Sequence, residues 1–331
     1  MVNSITIINS DSRYTYLYPS DPWDTGLVVA GINGLTPVKG TINTSEISSG
    51  DGASFNSARL TYRNIVLDLN IVPIYDSENV NRIIRTVEGV RNDFYRKVPV
   101  KDRVEVRIRT DSKVVETYGY VESNEIEIFS QEETAQISII CPDPFFYMVL
   151  PSKIISVADR LMSSYSSNFI SNFDAIKDWS TIMKFPITGR SDQETSLRRV
   201  SDSEVKTGAF IIIEFVTDNI TSVTLSNSHG DGITVDAAKA LNAFNGQNNT
   251  SYDTNGFKTN DAIMISTFLD KHYIKMQRGS YSANILAAVP KDTKWFYMYP
   301  SSNTVSIKTE GGSTNPTCNC AIYYTCAYEG V

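Results

Sequence analysis

The sequence has few of the residues that catalytic and metal sites use. It contains two histidines in 331 residues, His229 and His272, and neither has neighbours that would complete a catalytic triad or a zinc site. It also lacks the Gly-x-Ser-x-Gly, Gly-x-Gly-x-x-Gly and Walker motifs. The sequence therefore predicts a protein that is not an enzyme and that binds no metal and no cofactor.

Long apolar runs and excess positive charge are missing as well. The most apolar stretch, residues 210–216, is interrupted by Glu214 and is far shorter than the roughly 18 residues that cross a bilayer. The N-terminal stretch MVNSITIINS has neither the basic region nor the apolar core of a secretion signal. A formal charge of −7 argues against a surface that binds nucleic acid. We expect no membrane segment, no specific nucleic-acid binding, and residence in the cytosol until another component carries the chain out.

Cysteines are also scarce. Four of them are too few for a disulfide-stabilised secreted scaffold in a chain this long, so we interpret them as free thiols. Cys318, Cys320 and Cys326 could chelate a soft metal ion. However, all three lie at even positions of a strand pattern, on one face, and cysteine is among the most buried residue types. The sequence favours a core location for these three and for Cys141.

The residues that are present are typical of a folded protein rich in strands. Hydrophobic residues make up 41% of a chain long enough for two domains. Apolar and polar side chains alternate in four early stretches, at residues 65–71, 104–108, 126–128 and 135–141. This pattern predicts a mainly β N-terminal domain over residues 1–148, of the β-sandwich or split-barrel kind.

One segment of this domain has helical spacing instead. Its apolar residues are Val80, Ile83, Ile84, Val87, Val90 and Phe94. We predict one amphipathic helix here, capped by Asp76 or Ser77 and ended by Pro99.

The stretch TAQISIICPDPFF, residues 134–146, ends a strand abruptly. Pro142 and Pro144 have no N–H group for a strand ladder, so pairing has to stop near Cys141. The composition then becomes Ser-rich and irregular. We predict a linker or arm with a few local strands over residues 149–207, with a disordered insertion as the alternative.

Short strand patterns return after residue 208, separated by turn residues. The candidates are AFIIIEFV, ITSVTLS, GITVD, AIMISTF, HYIKMQ, NILAAV, KWFYMY, TVSIKT and CAIYYTCAY. Nine strands with no helical period predict an antiparallel β-sandwich over residues 208–331.

Charged residues of the first domain suggest two surfaces of opposite sign. The residues concerned are Arg82, Arg85 and Arg91 on one side and Glu122, Glu125 and Glu127 on the other. We hypothesise that these surfaces meet between neighbouring copies in a head-to-tail ring, and pairing within one chain or solvation is the alternative. A pair such as Glu122 and Glu125 could also serve a glycoside hydrolase, but a solvated strand face explains them better.

Three aromatic residues are candidates for stacking on a sugar. They are Trp179 in the arm, and Tyr252 and Phe257 in the loop before AIMISTF. Most other aromatics, such as those of KWFYMYP, are expected in the core because of strand alternation. A carbohydrate-binding adhesion module for a cell wall is therefore the alternative function.

Several short motifs together resemble a known family. In the N-terminal part they are Gly50-Asp51-Gly52, Phe55-Asn56-Ser57, Arg59, Arg63-Asn64-Ile65-Val66-Leu67, Gly119-Tyr120-Val121-Glu122 and, most specific, residues 136–145. In the C-terminal part they are Lys184-Phe185-Pro186, Gly208 before residues 211–213, Trp295-Phe296 and Pro300-Ser301-Ser302-Asn303. The set resembles the distal tail protein family of long-tailed bacteriophages, whose C-terminal domain is a galectin-like sandwich.

The resemblance implies a structural adaptor in the virion, at the tail tip, assembled in the cytoplasm of a bacterial host. Six copies would form a ring through their N-terminal belt domains, with the C-terminal domains facing outward. The ring would join the tail tube protein to the tail-tip hub, or tail-associated lysin, protein. Some members of the family also contact receptor-binding proteins or the cell wall. DNA would pass through the channel without specific binding.

Overall fold

The structure, a computed structural model, divides into two compact units. It describes residues 1–17, 25–47, 50–76, 82–127, 133–149, 181–188, 195–201, 203–268, 272–311 and 317–331, with the backbone alone for 181–188, 195–201 and 317. Unit 1 is Met1–Val149 together with Tyr328–Val331, and unit 2 is Leu150–Ala327. The limits 1–148, 149–207 and 208–331 remain predictions.

Unit 1 is built mainly of antiparallel strands. They are β1 (Val2–Ile8), β2 (Tyr14–Leu17), β3 (Leu27–Asn33), β4 (Gly40–Glu46), β5 (Ala53–Leu60), β6 (Arg63–Ile71), β7 (Ile74–Tyr75), β8 (Ile83–Arg85), β9 (Arg103–Thr110), β10 (Val114–Glu127), β11 (Glu133–Cys141) and β12 (Phe146–Met148). The main sheet has the order β2-β1-β9-β10-β11-β6-β3, and β12 pairs with β10. β4–β5 and β7–β8 are separate two-stranded sheets.

The predicted alternation is confirmed in the central strands. Residues at every second position of β6 and β9 are buried, as are those of β11 at Ala135, Ile137, Ile139 and Cys141. Ile126 in β10 is half-buried, and residue 128 lies outside the described residues. The buried faces of neighbouring strands form one apolar layer, because register aligns Ile65 with Ile139 and Leu67 with Ile137.

The predicted helix is present but begins later than expected. Helix α1 (Val87–Lys97) buries Val90 and Phe94 and lies against β2, β6 and β8. The hydroxyl of Thr86 accepts a hydrogen bond from the Gly89 N–H at 3.2 Å and so caps the first turn.

The prediction of a helix over the residues before Thr86 is wrong. Ile83 and Ile84 belong to strand β8, which pairs with β7, and the Ile84 side chain is 63% exposed. Two adjacent β-branched residues favour an extended backbone, and a Thr cap at position 86 starts the helix after them. Residues 77 and 80 lie outside the described residues, while Asp76 forms no part of the helix.

The strand that runs into CPDP ends at Cys141, as predicted. Asp143 then organises the turn: its carboxylate accepts from the Phe145 N–H at 3.0 Å and from the Tyr147 hydroxyl at 2.6 Å. The turn delivers Phe146 to the start of β12, where its ring is fully buried. The proline pair therefore ends one strand and redirects the chain into another.

Unit 2 contains two antiparallel sheets. Its strands are β13 (Thr181–Thr188), β14 (Thr195–Ser201), β15 (Ala209–Phe215), β16 (Ile220–Asn227), β17 (Gly232–Asp236), β18 (Ala262–Ser266), β19 (Tyr273–Arg278), β20 (Tyr281–Asn284), β21 (Ser301–Gly311) and β22 (Thr317–Tyr324). The six-stranded sheet has the order β13-β22-β15-β18-β19-β20, and the four-stranded sheet the order β14-β21-β16-β17. The final strand of the chain is β23 (Ala327–Tyr328).

One apolar core joins these two sheets. Ile211 and Ile263 of the larger sheet belong to the same buried cluster as Val223, Val235 and Ile307 of the smaller one. The mainly β fold class and the antiparallel sandwich are therefore confirmed. All four cysteines are free and buried, which confirms the core location predicted for them.

Unit 2 also contains a helix that the sequence reasoning missed. Helix α2 (Ala237–Asn248) is capped by the Asp236 carboxylate, which accepts from the Lys239 N–H at 2.9 Å. It buries Ala237, Ala240, Leu241 and Phe244, which have the spacing of one helical face. The expectation of a sandwich with no helical period is wrong on this point.

Two predicted strands of unit 2 are wrong. NILAAV forms the 3-10 turn Leu286–Ala288, and KWFYMY forms no strand beyond a single bridge between Met298 and Thr207. The alternation predicted for KWFYMY nevertheless holds, because Phe296 and Met298 are buried while their neighbours are half-exposed. Among the described residues, no helix has the length and apolar content needed to cross a membrane.

Candidate assembly surface

Large apolar side chains are exposed far more often on unit 1 than on unit 2. Of those that the structure describes, fourteen lie in unit 1 and four in unit 2. Scattered exposed apolar residues are normal on a monomer, but a concentration of them marks an interaction surface. Unit 1 is therefore the better candidate for contacts with other chains.

The β4–β5 hairpin is the clearest part of this surface. All eight residues of β5 are exposed, and the hairpin pairs with no other described strand. Cross-strand register places Ile42 opposite Ala58, Thr44 opposite Phe55, and Gly40 opposite Leu60. These residues share one face, which we call the apolar face of the hairpin.

The opposite face of the hairpin is polar. The Asn43 side-chain amide donates to the Ser57 hydroxyl at 2.9 Å, and Asn56 donates to Ser45 across a bulge in the register. Such bonds rigidify the hairpin but bury no apolar surface. Because an isolated two-stranded hairpin is marginally stable in water, its apolar face needs a partner. Three motifs that carry the family resemblance, around Gly52, Phe55 and Arg59, lie on this hairpin.

A groove in unit 1 lies between helix α1, strands β2 and β3, and the β7–β8 hairpin. It has a volume of about 420 Å³, and its lining includes Leu27, Ile74, Ile84 and Phe94. We call it the helix groove. Its lining combines apolar side chains, among them the buried Leu27 and Phe94, with polar and charged side chains.

The rim of the helix groove is basic. Asp93 pairs with three cations, Arg85 at 3.1 Å, Lys97 at 2.9 Å and Arg96 at 3.7 Å. Burial on its own would raise the pKa of Asp93, but the hydrogen bond from Lys97 and the three positive charges lower it overall. One carboxylate cannot neutralise three cations, so this part of the surface keeps an excess of positive charge.

A buried arginine connects the motifs that carry the family resemblance. The Arg63 side chain is fully buried, and all five of its N–H donors bond to backbone carbonyl oxygens, of Gly34, Thr36, Pro144 (twice) and Glu329. Burial lowers the pKa of Arg63, while the nearby Cys141 and Asp143 act in the opposite direction.

Arg63 also stacks over the Phe146 ring at 4.1 Å. Its carbonyl acceptors come from three separate segments, so the guanidinium holds the loop after β3, the turn after β11 and the C-terminus together. Gly34 can lie this close because it has no Cβ: its φ is +87°, and a Cβ would stand 1.9 Å from the Asn64 carbonyl oxygen.

The arginines predicted for a ring interface bond within the chain. Arg82 lies 3.6 Å from Asp76, Arg85 pairs with Asp93, and Arg91 pairs with Glu133 at 2.9 Å. The Arg91–Glu133 pair is largely shielded from solvent, so Arg91 is engaged inside its own chain. Arg82 and Arg85 are more exposed, and their contact with a second chain remains a prediction.

The predicted acidic residues have a different environment. Glu122, Glu125 and Glu127 are exposed on β10, and Glu122 accepts from the Ser138 hydroxyl at 2.7 Å. Their contact with a second chain remains a prediction. This part of β10 pairs with β11, so strand pairing does not bring the glutamates next to the three arginines within the unit.

The three residues predicted to stack on sugar do not form one site. Phe257 is fully buried and stacks on Phe215 at 4.5 Å, so the prediction for this residue is wrong. Tyr252 is 38% exposed and lies beside the Arg278 guanidinium at 5.2 Å. Trp179 lies outside the described residues. The sequence places Phe257 in a loop, but a bridge to Ile220 draws this residue into the core.

Neither histidine has catalytic partners. His272 stacks on Trp295 at 4.7 Å and His229 on Tyr299 at 4.2 Å. Within the part of the chain that the structure describes, no group of three His, Cys, Asp or Glu residues could hold a metal ion. The sequence did not reveal that both histidines would lie against the aromatic stretch at residues 295–299.

The fold is similar to that of phage tail proteins. SPP1 Dit, whose structure is described as a paradigm of the hub adsorption apparatus in phages that infect Gram-positive bacteria, is 13% identical, with a TM-score of 0.59 over 98% of this chain and 99% of that one. The phage p2 baseplate in its activated conformation with Sr is 11% identical, with a TM-score of 0.45 over 99% of each chain.

No protein-family profile matches the chain, and no curated protein sequence matches it. The likeness to SPP1 Dit, which covers 98% of this chain, confirms the mainly β, Dit-like architecture expected from the motifs.

Proposed function

We propose that this protein is a structural hub of a bacteriophage tail tip, that it is not an enzyme, and that its copies close into a ring. The observation that carries the proposal is the full-length likeness to SPP1 Dit, with a TM-score of 0.59 over 98% of this chain. A likeness that spans both units supports a shared role better than one confined to a common sandwich domain.

The surface of unit 1 supports the ring. Its exposed apolar residues and its unpaired hairpin are features of a chain that is stabilised by copies of itself. In this proposal six copies join the tail tube protein to the tail-tip hub, or tail-associated lysin, protein, and receptor-binding proteins are further partners. The ring assembles in the host cytoplasm and resides in the virion, and DNA passes through it without specific binding.

The described residues give little support to the carbohydrate-binding alternative. Of its three candidate residues, Phe257 is part of the core and Tyr252 packs beside Arg278. Glycoside hydrolysis likewise has no support, because Glu122 is held by Ser138 on an open strand face.

The test is the state of assembly of the full chain. Light scattering should give a single particle with about six times the chain mass of 36.9 kDa, and electron microscopy should show a ring with a central hole. A matched pair of variants locates the contact: Phe55→Ser with Ile42→Ser in unit 1 should release monomers, whereas Val216→Ser with Leu286→Ser in unit 2 should not. A wild-type protein that stays monomeric at high concentration overturns the proposal.

A further inference from the structure

We propose that the apolar face of the β4–β5 hairpin of one copy inserts into the helix groove of the next copy. The inference rests on the proposed ring and specifies its contact. Both surfaces belong to unit 1. They do not contact each other within one chain, because none of the described hairpin residues lines the groove. A contact between two different patches of identical chains is heterologous, which is the kind that closes into rings.

The two surfaces match in apolar character. The hairpin presents Phe55 and Ile42, each 66% exposed, together with Leu60 on the same face. The groove offers Ile74, Ile84 and Phe94, and its volume of about 420 Å³ is enough for several side chains.

The two surfaces also match in charge. Glu46 lies on the apolar face, since it has the same strand parity as Ile42 and Thr44, whereas Arg59 lies on the opposite face with Thr41. The face that would enter the groove therefore carries an acid and no base. The groove has Arg85 and Lys97 at its rim in excess of Asp93.

The occupant that we infer is the hairpin of a second copy, because its apolar and acidic face complements the apolar side chains and the basic rim of the groove. The tail tube protein is the competing occupant.

Disulfide trapping tests the contact, because all four native cysteines are buried and give little background. Phe55→Cys protein mixed with Ile84→Cys protein should form a mixed disulfide under mild oxidation, which mass spectrometry identifies by its linked peptides. Ser57→Cys is the matched control, since it lies on the same strand but on the polar face, and it should not couple to Ile84→Cys.

Rings that form without the 55–84 disulfide overturn the inference and leave the proposed function standing. Coupling of Ser57→Cys as efficient as that of Phe55→Cys also overturns it. If wild-type protein forms no ring, the proposed function itself is wrong.

Exchanging the charges of Glu46 and Arg85 gives a second test that leaves the Phe55 side chain unchanged. Glu46→Arg should weaken ring assembly by about tenfold, because like charges would then meet at the groove. Adding Arg85→Glu should restore assembly. Failure of the double variant to recover, while its spectrum remains that of folded protein, overturns the proposed pairing.

Discussion

Arg63 Nη2 donates to the carbonyl oxygen of Glu329 at 2.6 Å, although 266 positions separate the two residues. Residues 328–331 follow unit 2 in the sequence but belong to unit 1, and they complete its interior. Tyr328 is buried beneath the ammonium of Lys113 at 3.8 Å, and the Val331 N–H donates to the Leu35 carbonyl at 3.0 Å. Residues 328–331 therefore pack as part of unit 1.

Arg63→Lys should lower the stability of unit 1. Lysine has three donors without the planar fork of arginine, so buried carbonyl oxygens would lose their partners, at about 1–3 kcal/mol each. We expect a loss of about 3 kcal/mol, measured by native-state hydrogen exchange in β6 and β11. Arg59→Lys, four residues earlier on the exposed hairpin, is the control and should change stability by less than about 0.5 kcal/mol. Equal hydrogen-exchange rates in Arg63→Lys and Arg59→Lys would contradict a stabilising role of Arg63.

Removal of residues 328–331 should weaken unit 1 selectively. The truncation deletes the buried Tyr328 ring and one acceptor of Arg63, which together contribute about 2–4 kcal/mol. Faster exchange is expected in unit 1, and unchanged exchange in the strands around Ile263 of unit 2. Val331→Ala, which keeps every backbone contact, serves as the control. Exchange that accelerates equally in both units would show that the C-terminus has no selective role in unit 1.

Asp93→Asn should reduce stability at neutral pH and much less in acid. The pKa of Asp93 is lowered in the folded state, so its contribution is present above the usual carboxyl pKa of about 4 and is lost as the pH falls through the folded value. The difference in urea midpoint between wild type and variant should therefore shrink between pH 5 and about pH 2. Because the Asp93–Lys97 ion pair is partly exposed, we expect the variant to lose about 1 kcal/mol of unfolding free energy at most. A difference that is independent of pH would contradict the ion-pair explanation.

Phe257→Ala should behave as a core substitution. Its ring is fully buried against Phe215, and Phe-to-Ala changes in cores cost about 3–5 kcal/mol. Tyr252→Ala, five positions earlier and 38% exposed, should cost clearly less. Urea unfolding followed by tryptophan fluorescence measures both. If Phe257→Ala kept wild-type stability, the ring would not be part of the core.

Much of unit 1 could be predicted because strand alternation is a local property. Ile65, Leu67, Ile137 and Ile139 are buried where their parity placed them, since successive side chains of a strand point to opposite faces. The end of β11 was equally predictable, because a proline cannot donate to a ladder whatever surrounds it. The burial of Cys141, Cys318 and Cys320 agrees with the same parity, whereas Cys326 is buried beyond the end of β22.

The errors have identifiable causes. Helical spacing begins at Val80 in the sequence, but the helix starts only after its cap at Thr86, and a short hairpin uses Ile83 and Ile84. Helix α2 did have a signal in the sequence, an Asp236 cap followed by apolar residues at positions 237, 240, 241 and 244, and the regular run of strands around it concealed that signal.

The candidate site was less accessible to sequence reasoning than the fold. The sequence shows that Arg85 and Arg91 are close together along the chain, but it does not specify their partners Asp93 and Glu133. An ion pair depends on distances of a few ångströms between segments, which spacing along the chain does not specify.

The sequence by itself determined which side chains face the interior, where β11 stops, and that the protein is built mainly of strands, because these follow from the two-residue period and from the chemistry of proline. Only the tertiary structure decided that Arg63 meets Glu329, that Phe257 is core, and that the β4–β5 hairpin pairs with no other strand among the described residues. These outcomes depend on which distant segments pack together, and that is set by the total burial and hydrogen bonding of the folded chain.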